Sequence, residues 1–169
     1  GVDWRLVYPG QESVVKFFPV VILSLMPLWA QALEVGEKLA PWTLLDQFDQ
    51  SYSLNDQTRT LLVARTMDGA KLVKAVLLDQ PKGYLEARDA VFVANIEPMP
   101  KLIARMFAIP AMRDYPYRVM LDRDGQVVAA YPGAADKVLW LQLDHGQVQQ
   151  VREFDNAASL REALEKPLP

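Results

Sequence analysis

The sequence predicts an α/β fold in which a mixed β-sheet is flanked by helices. Residues 61–64 form a continuous run of leucine, valine and alanine, which is typical of a strand buried on both faces of a sheet. A helical pattern follows at 71–79, and a second buried run begins at 91. Two strand–turn–strand patterns then occupy residues 117–154. Strands that alternate with helices and then continue as antiparallel pairs indicate helices packed on a mixed sheet.

The composition excludes several classes of function. The chain has 169 residues, of which 51% are apolar, and this is enough for one well-buried core. It contains no cysteine, which excludes disulfides, thiol catalysis and cysteine-ligated metals. One histidine is too few for a histidine-rich zinc site, and a net charge of −3 argues against a nucleic-acid surface. We therefore expect no metal, no cofactor and no nucleic-acid partner.

Residues 14–32 have the three parts of a secretory signal peptide. Lys16 supplies the positive charge, residues 17–29 are apolar, and Ala30-Gln31-Ala32 supplies the small residues before a cleavage site after Ala32. The apolar stretch is shorter than the roughly 20 residues that a membrane-spanning helix needs. The pattern therefore predicts an exported protein, cleaved after Ala32.

A buried core helix or an uncleaved anchor is the alternative for this segment, but Pro19 and Pro27 suit a removed segment better. Leaders begin close to their positive region, so we expect translation to start at Val14 or the next residue, downstream of residues 1–13. Residues 1–32 then precede one periplasmic domain over 33–169. We expect this domain to have no membrane contact after cleavage.

A β-hairpin is predicted at the start of this domain, where strand patterns within 33–46 and at 51–54 flank a polar turn. The helix that follows the first buried strand has Asp68 as its predicted N-cap. Its apolar residues recur on one face, as expected for a helix that covers a sheet. These residues are Leu72, Val73, Val76 and Leu77.

The most regular helical pattern in the chain follows Pro98 and Pro100, because proline is tolerated at the start of a helix. Pro110 is predicted to end this helix. For Lys101 and Arg105, on the opposite face, a solvated surface is favoured over an anion site. The apolar residues recur at helical spacing, which predicts a buried face. They are Met99, Leu102, Ile103, Met106 and Phe107.

Two strand–turn–strand units are predicted next, with turns that end at Gly125 and Gly146. Glycine supplies the positive φ that such turns require. A last helix, capped by Asn156 or Ser159, is predicted to follow and to bury residues 157, 160 and 164. The predicted strands of the two units are 117–121, 126–131, 138–143 and 147–154.

Three stretches of the chain resemble one group of proteins. Residues 33–46, with Val35-Gly36-Glu37 and Ala40-Pro41-Trp42, resemble the opening of exported thioredoxin-like proteins of the peroxiredoxin and thiol-disulfide-reductase branch. Residues 120–131 resemble the insertion before the final sheet strands of these proteins, and residues 141–148 resemble their terminal hairpin. The resemblance implies a thioredoxin-like mixed sheet with an N-terminal hairpin and an inserted strand–turn–strand.

The sequence departs from this family at the two positions that carry its chemistry. The reactive cysteines would fall within residues 67–70, where the chain has none. The family's cis-proline would fall within Ala135-Asp136-Lys137-Val138, which has no proline, so we expect a trans peptide bond there. Thiol exchange needs a thiolate and a second sulfur, so the redox activity is not carried over. The chain is most similar to exported thioredoxin-like proteins that lack these cysteines.

The favoured hypothesis is therefore a non-catalytic module that binds a peptide, a partner protein or a small ligand where the thiols would lie. The backbone N–H groups at Asp68-Gly69 could face an anion, but a helix cap is the favoured role of the acidic residue. No catalytic residue is assigned. The resemblance places at this surface Thr66, Met67, Asp68, Gly69, Ala70, Asp136 and Lys137.

Two alternative functions are compatible with the sequence. One is an enzyme with a hydrolase-like, non-thiol site, in which Asp144 orients His145 as a general base, although no nucleophile adjoins them in sequence. The other is a structural or stress protein of the envelope, whose fold alone matters. A copper site made of methionines is a further interpretation, and core filling is favoured over it. Its candidate ligands are Met99, Met106, Met112 and Met120.

Overall fold

The computed structural model describes residues 33–168, which form a seven-stranded mixed sheet. The strands lie in the order β2-β1-β5-β4-β3-β6-β7 across the sheet. The predicted leader and its cleavage site after Ala32 lie outside the described residues. The strands are β1 (Thr43–Leu45), β2 (Ser51–Ser53), β3 (Thr60–Ala64), β4 (Ala90–Asn95), β5 (Met120–Asp122), β6 (Val138–Asp144) and β7 (Gln147–Phe154).

Helices cover both faces of the sheet. One face packs against Val73, Ala104 and Leu160, which belong to three different helical segments, and the other face packs against Val128. In the part of the chain that the structure describes, no helix is long and apolar enough to cross a membrane. The helices are α1 (Met67–Leu77), α2 (Lys101–Ile103), α3 (Ile109–Met112), α4 (Gln126–Ala129) and α5 (Ala157–Glu165), with a 3₁₀ turn at Glu86–Arg88 and a π-helical segment at Ala104–Ala108.

The central strands are buried, as the sequence predicts. Every residue of β3 is buried. Leu62 lies beside Phe92 of the parallel strand β4 and opposite Trp140 of the antiparallel strand β6. A strand that is covered on both faces has no side facing solvent, so a continuous apolar run suits it better than an alternating one. The predicted buried strands are therefore confirmed.

The β6–β7 hairpin and α5 are also confirmed. His145 and Gly146 connect the two strands with φ values of 50° and 80°. Positive φ at both central residues defines the type I′ turn, whose twist matches that of the strands. Asn156 caps α5, because its Oδ1 accepts the N–H of Ser159 at 2.8 Å.

The second strand predicted at 126–131 is wrong, because this stretch begins with helix α4. Gly125, with φ at 71°, ends the turn after β5. The buried carboxylate of Asp122 then accepts the N–H of Val128 at 2.7 Å and satisfies one of the N–H groups that the start of a helix leaves unpaired. The β-branched residues favour a strand by propensity, but this contact and the burial of Val128 override that preference.

One continuous helical segment, residues 101–112, consists of α2, the π-helical segment and α3. Ile109 donates its N–H to the carbonyl of Ala104, five residues earlier. Pro110 lies in the first turn of α3 and does not end the helix, contrary to the prediction. In an α-helix the proline ring would clash with the carbonyl four residues before it, and the wider π turn gives the ring room.

Of the apolar face predicted for this helix, only Met99 packs against the core, and the other four residues lie at the surface. Ala104, Ile109 and Met112 are buried in their place. Alanine on the sheet side lets the helix approach closely, and the π turn adds a residue that brings the later apolar side chains to the core. The prediction of a buried face was therefore wrong for Leu102, Ile103, Met106 and Phe107, which are 56, 44, 55 and 63% exposed.

The predicted β1–β2 hairpin is present, and its turn is anchored by a buried carboxylate. Asp46 Oδ1 accepts the N–H groups of Phe48 and Gln50 at 2.8 and 2.9 Å, and Arg118 Nε donates to Oδ2 at 2.7 Å. The turn is anchored a second time by the buried side chain of Gln47, which donates to two carbonyls and accepts the N–H of residue 119 at 2.8 Å. The buried side chains of Asp46 and Gln47 have hydrogen-bond partners for their polar atoms, and these hydrogen bonds hold the edge hairpin to the sheet.

We predict that Asp46 makes the stability of the domain sensitive to acid. Burial alone raises the pKa of Asp46, but the hydrogen bonds from Gln50, Arg118 and Phe48 outweigh burial and hold the pKa below its usual value. The unfolded chain therefore takes up the proton first. The stabilisation is present above the ordinary aspartate pKa of about 4 and is lost as the pH falls through the folded value.

Urea unfolding from neutral pH to about pH 3 checks this prediction. Asp46→Asn is expected to lower the free energy of unfolding at neutral pH and to flatten its fall in acid. Asp49→Asn is the matched control, because Asp49 lies in the same turn, is exposed and is 3.8 Å from Arg123. Identical pH slopes in the wild type and in Asp46→Asn would contradict the assignment.

Candidate functional site

The candidate site lies at the edge of the sheet where the parallel strands β3, β4 and β5 end. From β3 the chain enters α1 on one face, whereas the later segment that contains α4 crosses the other face before it enters β6 beside β3. In open α/β sheets, ligands bind outside the carboxyl ends of the strands at such a reversal. Residues 66–70 and 136–137 lie at this edge.

Thr66 caps α1, which corrects the prediction that Asp68 does so. Its backbone is extended, and its Oγ1 accepts the N–H of Asp68 at 3.3 Å. The helix begins at Met67, four residues before the predicted start, so the cap moves toward the N-terminus with it. The same hydroxyl donates to the carbonyl of Ala135 at 2.5 Å. The cap therefore also ties α1 to the loop that enters β6.

Gly69 lies directly against this loop. A Cβ at this residue would be 2.9 Å from the carbonyl oxygen of Lys137 and 3.2 Å from Cβ of Ala64. Both distances are shorter than ordinary contacts, so it is the close approach of the loop that requires glycine here. The structure thus places the two predicted groups of site residues side by side, while their ligand-binding role stays a prediction.

The site exposes one apolar side chain and two carboxylates. Met67 is 50% exposed, Asp68 and Asp136 are exposed, and Lys137 is half-buried. Residues 66–70 and 135–137 contain no thiol and no imidazole, and the hydroxyl of Thr66 is engaged by the loop. Across residues 33–168 no three His, Asp or Glu side chains come together in a group that could hold a metal ion. Such a surface can bind, but it offers no group for thiol or imidazole chemistry.

Arg65 and Glu153 hold the site's loop in place, and the sequence did not point to either. Arg65 Nη1 donates to the carbonyls of Val128 and Tyr131, at 3.1 and 2.5 Å. Glu153 Oε1, on β7, accepts the N–H of Ala134 at 2.8 Å. A charged residue immediately after a buried strand could have indicated Arg65. No local pattern indicates Glu153, because its partner is 19 residues away.

Asn95 connects the ends of two neighbouring strands. Its Nδ2 donates to the carbonyl of Arg65 at 3.3 Å, and its Oδ1 accepts the N–H of Glu97 at 3.1 Å. All peptide bonds within the described residues are trans, including those of residues 135–138, as the absence of proline there predicts. The edge of the sheet is therefore held by side-chain hydrogen bonds from Arg65 directly after β3, from Asn95 of β4 and from Glu153 of β7.

The Asp144–His145 pair lies at the other end of the sheet, because β6 runs antiparallel to β3. Asp144 Oδ1 is 2.7 Å from His145 Nδ1, and the two side chains are 67 and 80% exposed. The adjoining groove of about 550 Å³ is lined by carboxylates, amides, Leu143 and Arg59, without a hydroxyl or amine nucleophile. The pair forms the hydrogen bond that the prediction requires, but the residues that line the groove beside it supply no hydroxyl or amine nucleophile for a covalent hydrolase.

The methionines suggested as copper ligands do not converge. Met112 is buried on the face of the sheet that carries α1, and Met120 is buried on the face that carries α4. Met106 is 55% exposed, so core filling does not explain it. Ligands of one metal ion must reach one point, and residues on opposite faces of a sheet do not.

No protein-family model and no curated protein matches the sequence. Solved structures do match the fold. A thio-disulfide isomerase from Thermus thermophilus is 20% identical, with a TM-score of 0.50 over 78% of this chain and 94% of that one. Peroxidoxin BcpB from Mycobacterium tuberculosis is 16% identical, with a TM-score of 0.50 over 78% and 96%. The thioredoxin domain of a thiol-disulfide oxidoreductase from Bacteroides vulgatus is 16% identical, with a TM-score of 0.50 over 79% and 100%.

These likenesses establish the fold. Residues 33–168 form a mixed sheet flanked by helices of the thioredoxin-like kind, as the resemblance implies. The chain has no cysteine, and the function of a fold depends on the residues it carries, so the thiol chemistry of this fold is not available here.

Gly69→Ala is expected to lower the free energy of unfolding by about 1–3 kcal/mol. The new Cβ meets the Lys137 carbonyl and Ala64, and backbone atoms cannot move away without displacing the loop. Urea unfolding measures the loss, and amide chemical shifts of residues 135–137 report the displacement.

Gly133→Ala is the matched control in the same loop. Its Cβ would lie 3.0 Å from Glu153 Oε1, and a shift of a few tenths of an ångström at the end of this side chain relieves the contact while its hydrogen bond with the Ala134 N–H is kept. We expect a loss smaller than about 1 kcal/mol, since alanine also reduces the freedom of the unfolded chain. Equal losses for the two variants would show that the contact between α1 and the loop is not the cause.

Proposed function

We propose that the domain is a non-catalytic thioredoxin-like binding module that holds a peptide or a partner protein at the surface of residues 66–70 and 136–137. The observation that carries this proposal is the exposure of Met67 beside a loop whose backbone is already held in place. Met67 begins α1, at the position where the resemblance puts the family's thiols. An apolar anchor stands there in place of a reactive group.

The order of the loop favours binding. Thr66 holds the carbonyl of residue 135, Glu153 holds the N–H of residue 134, and Arg65 holds the carbonyl of residue 131. A surface whose backbone is already ordered loses little conformational freedom when a partner binds. Methionine is flexible and polarizable, so it adapts to apolar groups of different shapes.

The charge of the surface favours a partner that carries positive charge next to an apolar group. Asp68 and Asp136 are exposed, whereas the side chain of Lys137 is half-buried. Carboxylates around an apolar anchor attract lysine and arginine side chains and repel anions. This argues for a basic peptide segment and against the anion that a helix N-terminus binds elsewhere.

We expect a photo-crosslinking amino acid in place of Met67 to label a discrete partner in an envelope extract. The matched control carries the same probe in place of Glu162, which is exposed on α5 toward the opposite end of the sheet. Denaturing gels and mass spectrometry of the crosslinked species compare the two positions.

A second form of the Met67 probe protein, which also carries Asp68→Lys/Asp136→Lys, tests whether the partner is basic. If the partner is basic, reversing the two charges is expected to abolish the Met67-specific band while the fold, followed by circular dichroism, is kept. Labelling that is the same at positions 67 and 162 would count against a binding surface at α1. Labelling that survives the charge reversal would count against a basic partner.

We also propose that this module is exported, on the strength of the charged, apolar and small-residue parts of residues 14–32. Expression of the chain with a C-terminal tag in a Gram-negative host should give a periplasmic species whose mass corresponds to a start at Leu33. Ala30→Leu/Ala32→Leu is expected to block cleavage, because the peptidase requires small residues there. A cytoplasmic chain that retains residues 1–32 would refute the proposal.

A further inference from the structure

Four large apolar side chains on one helical segment lie at the surface, and no element among residues 33–168 covers them. Leu102, Ile103, Met106 and Phe107 occupy two successive turns on one side of the helix, and we call them the apolar ridge. They are between 44 and 63% exposed, and they account for four of the ten large apolar side chains exposed in the described part of the chain. A contiguous exposed patch of this kind marks an interaction site.

Positive charge borders the apolar ridge. Residues 98–113 contain Lys101, Arg105 and Arg113 and no acidic residue, in a chain whose net charge is −3. Lys101 and Arg105 are exposed, and neither forms an ion pair within residues 33–168. These two cations are therefore available to an acidic partner.

A groove beside the helix extends this positive surface. It has a volume of about 930 Å³, an apolar floor that includes Ile96 and Ile109, and the cations of the helix along its rim. Arg123 on its far wall lies 3.8 Å from Asp49. Two more carboxylates, of Glu97 and Asp124, line the groove, and four cations outnumber the three acids.

We infer that the apolar ridge and its bordering cations bind the surface of a membrane that contains anionic phospholipids. Lys101 and Arg105 each precede a ridge residue by one position, which places them roughly a quarter of a turn around the helix from Leu102 and Met106. With the ridge at the boundary of the acyl chains, the long stems of these cations reach the phosphate layer beside it.

A lipid surface fits better than a second copy of the chain. Twofold pairing of two ridges would set the three positive charges of one segment against those of the other, which is unfavourable. A lipid interface accepts a convex apolar ridge without a matching recess, and it supplies acidic groups next to apolar ones. The inference does not depend on the proposed role of residues 66–70. It departs from the expectation that the domain has no membrane contact after cleavage of the leader.

The absence of cysteine allows a single label to report on this surface in the full chain. Phe107→Cys carries an environment-sensitive fluorophore on the ridge, and Gln126→Cys carries it on exposed α4, on the opposite face of the sheet. Vesicles are made of phosphatidylcholine alone or of equal parts phosphatidylcholine and phosphatidylglycerol, with a spin-labelled lipid as quencher. We expect a shift to shorter wavelength and quenching at position 107 only, and only with phosphatidylglycerol.

The second part of the vesicle-binding test removes positive charge from the helix. Lys101→Gln/Arg105→Gln in the labelled chain is expected to weaken binding to the anionic vesicles about 30-fold, from roughly 1 kcal/mol for each cation near the surface. Added salt should weaken it further, because it screens the headgroup charge. Thermal unfolding of each variant confirms that the fold is kept.

Four results would each overturn the inference. They are no response at position 107, an equal response at positions 107 and 126, equal affinity for neutral and anionic vesicles, and an affinity unchanged by Lys101→Gln/Arg105→Gln. The second result would assign vesicle binding to another part of the chain, such as apolar residues 17–29. A fluorescence shift that grows with protein concentration in the absence of vesicles would assign the ridge to a second copy.

Discussion

The close contact between the first turn of α1 and the loop that enters β6 is the constraint on which this edge of the molecule depends. Gly69 admits the Lys137 carbonyl, and the Thr66 hydroxyl both caps the helix and holds the carbonyl of Ala135. Because β6 pairs with β3 directly after this loop, the contact also positions the central strands. A larger residue at position 69 would push α1 away from both the loop and β3, since closely packed interiors transmit strain.

This constraint produces an ordered surface without reactive groups. The loop is held by the side chains of Arg65, Thr66 and Glu153, and the residue at the start of α1 is a methionine. The other titratable constellation, Asp144 with His145, lies at the far end of the sheet and is exposed to solvent. A scaffold and its chemistry are separable, and the fold can persist as a binding surface when the chemistry is absent.

The two proposed surfaces differ in their exposed charged groups. Asp68 and Asp136 are exposed carboxylates beside Met67, whereas Lys101 and Arg105 are exposed cations beside the apolar ridge. If both proposals hold, electrostatics would direct different partners to the two surfaces. A module of this kind would hold a basic peptide segment near an anionic lipid surface.

The sequence by itself determined the buried strands, the turn at Gly146 and a last helix capped by Asn156 or Ser159, because each is indicated by neighbouring residues. The structure gave the turn its type and selected Asn156 as the cap. It also placed the candidate site at the start of α1. Tertiary structure decided that 126–131 begins with a helix and that Phe107 faces outward. It also recruited Glu153 to the site's loop. The Asp122 carboxylate and the π turn act within six residues, but they override the strand pattern and the apolar spacing because Val128 and Ile109 pack on the sheet. Glu153 reaches the loop from 19 residues away, and a local pattern specifies neither the packing nor this contact.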